Sequence, residues 1–418
     1  MSELKGLRGF LHQWGGGRAA FFAYTHLSHD LTTGLMVALL ALVRDDLGLN
    51  YLQSGLLVSV YTIVSGVAQF PMGWLGDRAK RNVVAAIGLG GVSLAAVGAA
   101  LSPSYYPILA FMVVMGIFGG AYHPSATSLL SSYFEPGRRG SAIGMHLLGG
   151  SIGFTVGPLL GGLLASWLGW RPAFILLTLP ALVAVPLVLR WFRPRAEAGA
   201  AEAVSPAPAP AGGTGPPVKE KLPGIAQVLR PVAFVTVLAV LTQLVGGSSI
   251  AFIPLFLVDK HGIDPANAAM LLAVVRGGGM AGSLLGGWLS DKRGRKLAVL
   301  TPIVAVGPLL YLITHLSFGV CLIVSFAVFG IAMSTRQSSI QALLMDASPP
   351  RLRSTIFGIY FGLSQEGQSL MQPVAGSLMD LLGIVLVMGY IAFASLALSG
   401  VAIFGLLRPG RGRRPAGP

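Results

Sequence analysis

Apolar stretches recur from one end of this sequence to the other, separated by short polar turns. A helix that crosses a bilayer needs roughly 20 predominantly apolar residues. On that measure the pattern predicts twelve spans, near 18–43, 53–75, 82–101, 105–132, 140–166, 171–191, 228–257, 266–289, 297–314, 317–346, 354–380 and 383–407. The runs are too long, and too free of alternation, for transmembrane β-strands. Their recurrence also excludes a lone signal peptide or anchor. One stretch breaks the pattern. Residues 194–224 are rich in Ala, Pro and Gly, cannot build a packed core, and read as a flexible cytoplasmic linker between spans six and seven. The predicted fold class is an all-α membrane protein made of two six-helix bundles, residues 1–193 and 225–418.

The polar positions set an orientation. Lys and Arg gather in the termini and in every second loop, as in Arg78, Lys80 and Arg81, Arg138 and Arg139, and Lys292, Arg293, Arg295 and Lys296. Arg44, Arg171 and Lys260 fall on the other side, and Arg276 and Arg336 lie within spans. Positive loops stay in the cytoplasm. Both termini are therefore expected there, which requires an even number of spans.

Composition agrees. Hydrophobic residues make up 54%, charged residues only 11%, and the mean hydropathy is +0.74. A soluble chain of 418 residues could not hide that much apolar surface. The net charge of +14 is spread over loops rather than along one face, so no nucleic-acid partner is expected. A single cysteine, Cys321, allows no disulfide within the chain and suggests no metal cluster.

The two halves align at an offset of 214 residues, with no gap needed across nearly a hundred residues. Gly73-Trp74-Leu75 meets Gly287-Trp288-Leu289, Asp77 meets Asp291, Arg81 meets Arg295, and Gly116 meets Gly330. Pro136, Arg139, Gly153 and Gly169 meet Pro350, Arg353, Gly367 and Gly383. Duplicated membrane halves are typical of secondary transporters, in which the solute lies between the halves near the midplane and rocking alternates access.

Three motifs carry a family resemblance. The turn after span two reads Gly73-Trp-Leu75-Gly-Asp77-Arg78-Ala-Lys80-Arg81, and the turn after span eight reads Gly287-Trp-Leu289-Ser-Asp291-Lys-Arg293-Gly294-Arg295-Lys296. Both resemble the major facilitator loop signature G-x-L-x-D-R-x-G-R-K. Lys80 stands where that family has glycine, so the first turn is expected to differ locally. Span five carries Gly153, Gly157, Pro158, Gly161 and Gly162, similar to the signature of the family's antiporter branch. The resemblance implies a conformational latch at Gly73, Asp77, Arg78, Gly287, Asp291 and Arg295. A carboxylate there can accept from helix N-terminal amides and pair with loop arginines. The plainer reading is a charged loop that only sets topology. For Gly157-Pro158 the plainer reading is a bend made for packing.

A narrower resemblance lies in the first half. His26-Leu-Ser-His29-Asp30, Arg44-Asp-Asp-Leu-Gly-Leu, Gln69-Phe-Pro71-Met-Gly73 and Tyr122-His123-Pro124 are similar to the fosmidomycin-resistance group of bacterial efflux proteins. Ser125 departs from that group, which carries an acid after His-Pro. Met112 occupies the place of an arginine used by many proton-linked drug exporters.

Ionisable groups inside spans are costly and are functional candidates by default. Asp30 lies about 18 Å into span one, near the midplane. His26, four residues earlier, shares its helical face. The pair is a proton-coupling candidate, with a static anchor between helices as the alternative. His29 points away from His26 and ranks lower. Glu366 sits about 18 Å into span eleven and is a third coupling candidate, or half of a structural ion pair. Arg276 and Arg336 stay charged and need a partner. Each either clamps an anionic solute or pairs with a carboxylate, as Arg276 could with Glu366 or Asp30. His123 is also a cavity candidate, although packing is the commoner role for it and for His146, and without acid or cysteine companions no metal is expected. Tyr24, Tyr61, Gln69, Tyr122, Gln243, Tyr360 and Phe361 complete the cavity candidates. Arg276-Gly277-Gly278-Gly279 lacks the Lys-Ser/Thr end of a phosphate loop, and the chain has no nucleotide-binding motif.

No cofactor and no enzymatic activity are therefore expected. The expected partners are a small-molecule solute, protons and the lipid bilayer, and a monomer suffices. The expected function is proton-coupled efflux of a drug-like or anionic organic solute across a bacterial inner membrane. The alternative is proton-coupled uptake of an organic anion such as a monocarboxylate.

Overall fold

The computed structural model describes residues 16–134, 136–192, 233–347, 360, 363–364 and 367–407, and among these there is no strand. The linker 194–224 and both termini lie outside them. The first half contains α1 (Gly16–Thr33), α2 (Leu35–Ala38), α3 (Leu40–Leu47), α4 (Tyr51–Arg78), α5 (Arg81–Leu101), α6 (Tyr105–Ser132), α7 (Pro136–Leu168) and α8 (Trp170–Trp191). The second half contains α9 (Ala233–Thr242), a π turn (Gln243–Gly247), α10 (Ser248–His261), α11 (Pro265–Arg293), α12 (Arg295–His315), α13 (Val320–Ala347), α14 (Gly367–Leu382) and α15 (Ile384–Leu407).

Ten helices among the described residues are long and apolar enough to cross a membrane. An eleventh span is broken, with Gly16–Ala38 and Leu40–Leu47 bent by 48°. The twelfth is the one containing α14, whose earlier residues fall outside the described set. Phe70, Trp167, Leu284, Val320, Leu381 and Phe404 point outward, more than half exposed. Large apolar side chains in that position need a lipid surface.

The first span departs from its predicted limits. It runs on to Leu47, so Arg44 stands on α3 rather than in a loop. Its 48° bend falls at Leu39, and a lesser interruption lies at Gly34, where Gly34 N still bonds Asp30 O at 3.0 Å. Thr32 Oγ1 donates to Ser28 O at 2.9 Å and Thr33 Oγ1 to Asp30 O at 3.5 Å. Such back-bonding hydroxyls bend helices, and the glycine gives up helix stability at the same place.

The duplication is visible in the backbone. Gly48 and Gly262, 214 residues apart, both end a helix in the left-handed region, at φ 61° and 64°. Asn50 and Asp264, at the same offset, both cap the next helix through their side chains. Gly169 and Gly383 match at φ 82° and 83°. Lys80 and Gly294 do not. Lys80 takes φ −67° and Gly294 φ 86°, so the two basic turns differ as the lysine led us to expect.

The halves meet along two helix pairs, α4 with α14 and α7 with α11. Glycine allows each close approach. A Cβ on Gly55 would lie 2.7 Å from Gln372 O, while Gly376 packs on the Tyr51 carbonyl and Gly162 on the Ala266 carbonyl. We call the end carrying Arg78, Lys80, Lys292 and Arg293 the basic end, and the opposite one the far end. At the far end Arg44 forks onto Asp259, with Nη1–Oδ2 at 2.5 Å and Nη2–Oδ1 at 2.7 Å. Asp380 accepts from Tyr51 N at 2.8 Å and Leu52 N at 2.9 Å. The other two far-end cations are also held, Arg171 by Asp46 and Lys260 by Thr314 O. Between the halves, a cavity of about 420 Å³ adjoins a second of about 570 Å³, and the two share Asp30, Phe154 and Arg276 in their linings. The second reaches Leu147, Ser283 and Gln341, toward the basic end.

Candidate functional site

Helical spacing puts His26 one turn before Asp30 on α1. The structure places His26 Nε2 3.2 Å from Asp30 Oδ2. It also brings His29 to the same carboxylate, with Nδ1 2.8 Å from Oδ1. His29 therefore flanks Asp30 on its other oxygen, which corrects its low ranking from sequence. His123 and His146 do not simply fill space between α6 and α7. The His146 ring stacks on His26 at 4.1 Å, and the His123 ring stands edge-on to His26 and His29 at 5.3 and 4.7 Å. Four imidazoles and one carboxylate thus converge beside the central cavity, with Asp30 and His123 in its wall, His26 in that of the adjoining cavity, and His29 and His146 buried behind them.

Hydrogen-bond roles fix the protons. His26 Nδ1 lies 2.8 Å from the His146 carbonyl, which can only accept, so Nδ1 carries hydrogen. Nε2 of a neutral His26 is then a lone pair facing a carboxylate oxygen. That contact is attractive only if one further proton sits between His26 and Asp30. His29 needs none, because its Nδ1–H donates directly to Oδ1.

His26, Asp30 and His123 each offer one ligand atom, and these lie within 4.8 Å of one another. The expectation that the histidines lack an acid companion is corrected, since Asp30 is that companion. Each Asp30 oxygen already holds an imidazole, so the carboxylate is satisfied within the protein.

Glycines make room for this cluster. A Cβ on Gly150 would lie 2.5 Å from Asp30 Oδ2 and 2.7 Å from His26 Cε1. Gly149 and Gly153 pack directly on the backbone of Ala23 and Leu27. Gly157 and Gly161 have more space, with nearest atoms at 3.4 and 3.3 Å. The small-residue row of α7 is what lets α1 approach. Pro158 lies within α7.

The remaining candidates divide. Tyr61, Gln69, His123, Gln243 and Arg276 line the central cavity. Arg276 has no ion pair or hydrogen bond to a described residue, and its guanidinium lies over the Phe154 ring at 5.5 Å. The proposed Arg276–Asp30 pair is thus not formed here. Four others are placed away from the cavity. Arg336 is 1% exposed and donates to Thr242 Oγ1 at 2.8 Å and to Gln243 Oε1. Tyr24 donates to Pro180 O at 2.9 Å. Tyr122 is buried behind the wall, donating to Thr25 Oγ1 at 2.9 Å and stacking on His29 at 4.5 Å. Tyr360 is buried in an apolar cluster with Ile303 and Ile340. Each apolar ring or aliphatic stem gains more from burial there than from the wet cavity.

Glu366 and Phe361 lie outside the described residues, as do the side chains of Gly73, Asp77, Asp291 and Arg295 in the basic turns. Of the other latch positions, Arg78 lies over the Trp74 ring at 4.1 Å, and Gly287 has open space around its Cα. Sequence reasoning passed over Phe154 and Gln372 in the cavity wall. A phenylalanine or glutamine in a span carries no periodic signal of its own.

Residues 20–370 match the family model described as Major Facilitator Superfamily. The chain is 24% identical to the fosmidomycin resistance protein of Escherichia coli (strain K12), with 89% of this chain and 88% of that one covered. It is 25% identical to a gallate transporter of Pseudomonas putida, with 84% of each covered. Among solved structures, a bacterial homolog to the human lysosomal transporter Spinster, inward-facing and occupied, superposes with a TM-score of 0.75 at 18% identity, covering 92% of this chain and 95% of that one. That likeness is one of fold alone.

Proposed function

Because the chain belongs to the Major Facilitator Superfamily, a family of transporters, we propose that it exports a small drug-like or anionic organic solute from the bacterial cytoplasm in exchange for protons. The observation that carries this reading is the His26–Asp30 contact, which calls for one shared proton at the wall of the cavity between the halves. Protonation there removes a negative charge from a site that rocking would expose to one side and then the other. Coupling follows if solute and proton compete for the same open state.

The basic loops assign the basic end to the cytoplasm. The cavity then opens inward, and the Arg44–Asp259 fork closes the outer side. An exporter loads its solute from this state. Resemblance to a protein named for fosmidomycin resistance supports efflux. Each chain encloses its own cavity, so a monomer suffices. A second reading, uptake of an organic anion with protons, is favoured by the likeness to a gallate transporter.

The test is proton movement in proteoliposomes on adding candidate solutes, with fosmidomycin and simple carboxylates in the panel. Efflux predicts that protons and solute move in opposite directions. Movement in the same direction would replace export with uptake.

A further inference from the structure

We infer that the central cavity is a binding site for a hydrophilic organic anion, held by Arg276 and by the amide donor of Gln368. The inference rests on the transport reading above and names its substrate class.

Three observations carry it. The first is charge. Arg276 lines both cavities and has no carboxylate partner among the described residues. Asp30, the acid in the same wall, has an imidazole on each oxygen. Among the described residues, the cavity therefore offers a cation without a counterion, and its acid has an imidazole on each oxygen rather than one free for a cationic solute. A half-buried guanidinium with only an aromatic ring beside it favours the arrival of an anion.

The second is the direction of a hydrogen-bond chain. Arg336 can only donate. Gln243 must therefore turn its Oε1 toward Arg336, which sends its amide nitrogen to Gln368 Oε1. Gln368 in turn must accept with its oxygen and present its NH₂ group to the cavity that it lines. The charge of Arg336, itself out of reach of a solute, thus fixes a donor on the opposite wall from the imidazoles. Arg336 is a positioning residue here. The π turn Gln243–Gly247 supplies the geometry, because it places Gln243 against Gln368 over Gly247. Single π turns inside helices occur frequently at functional sites.

The third is the duplication. At the offset of 214 residues, His29, Tyr122 and His123 correspond to Gln243, Arg336 and Gln337. The same three positions hold imidazoles and a phenol in one half, and amides and a guanidinium in the other. One half is equipped to hold a proton, the other to donate hydrogen bonds to acceptor oxygens. A cavity of about 420 Å³ suits a solute of metabolite size. Its lining, with Gln69, Gln337 and Gln372 added to these groups, favours hydroxyl-bearing anions over greasy ones.

The experiment measures equilibrium binding to the full chain in detergent. Shikimate, 3,4-dihydroxybenzoate and propylphosphonate are each compared with the neutral ester, and tetraphenylphosphonium serves as a lipophilic cation. We expect at least one acid to bind tenfold or more tightly than its ester. That preference should vanish in Arg276→Gln, return in part in Arg276→Lys, and fall several-fold in Gln368→Glu. Gly247→Ala should weaken acid binding without changing ester binding, because its Cβ would lie 2.6 Å from Gln368 Oε1. If no acid outbinds its ester, or if tetraphenylphosphonium outbinds every acid, the inference is overturned. The transport reading is scored separately. Proton exchange driven by tetraphenylphosphonium alone would keep export and sink the anion site. An acid that binds through Arg276 but moves without protons would do the reverse.

Discussion

Arg44 and Asp259, which come from opposite halves of the duplication, form a two-pronged ion pair that ties α3 to α10 at the far end. Tyr51 adds a third contact, its hydroxyl donating to Asp259 Oδ2 at 2.5 Å. The Arg44 side chain is 13% exposed and that of Asp259 24%, so water screens the pair only in part. Arg44→Ala should remove about 1.5–3 kcal/mol from the far-closed state, a shift of roughly tenfold or more toward opening. Spin labels at Asp45 and Asn267, with Cys321 replaced, would read this as a larger long-distance population. The exchange Arg44→Asp with Asp259→Arg should restore the short one. An unchanged distance distribution in Arg44→Ala would remove the fork from the gate.

Asp380 supports the same closure by capping α4 from the other half. Asp380→Ala should cost the closed state about 0.5–2 kcal/mol, the usual worth of such a cap. Because the two sites share Tyr51, the double variant with Arg44→Ala should depart from additivity. Strict additivity in the same label experiment would mean that Tyr51 does not link them.

Gly150 and Gly157 make opposite predictions on one helix. Glycine to alanine inside a helix normally stabilises by about 0.5–1 kcal/mol. Gly157→Ala should follow that rule, since its nearest neighbour is 3.4 Å away. Gly150→Ala would press a methyl group onto Asp30 and His26. It should abolish proton-linked transport while leaving the protein folded in the membrane. Equal transport by the two variants would show that the cluster has slack that the structure does not display.

Gly294 and Lys80 test a place where the halves differ in a turn. Gly294 takes φ 86° and ψ 151°, a region all but closed to side chains. Gly294→Ala should lower thermal stability, by about 1–3 kcal/mol. Lys80→Gly, where φ is −67° already, should cost less than about 1 kcal/mol. Melting of the purified variants decides it, and equal losses would contradict the assignment.

How much of this was legible in the sequence depends on the range of the signal. Apolar run length located the spans, and the 214-residue offset found from Gly73 onward extends in the structure to matched helix ends at Gly48 and Gly262. The His26–Asp30 contact was readable because it lies within one helical turn. His123 and His146 join the cluster from α6 and α7 through the rings of His26 and His29, and no local spacing reports that. Arg336 illustrates the opposite error. A charged residue in a span invites a cavity role, but Thr242 and Gln243 accept from its two terminal nitrogens one layer behind the wall. The Arg44–Asp259 fork was missed because span one was ended at residue 43, so that Arg44 fell into a loop.

On the proposed mechanism, the proton shared by His26 and Asp30 couples solute movement to a pH gradient. The measurement that tests it most directly compares wild type with Asp30→Asn in proteoliposomes, scoring both solute counterflow and accumulation driven by an imposed pH gradient. Counterflow needs only alternating access, so it should persist in Asp30→Asn, while gradient-driven accumulation should disappear. If the Asp30→Asn protein accumulates solute under the pH gradient as wild type does, the proton is carried elsewhere and the account fails.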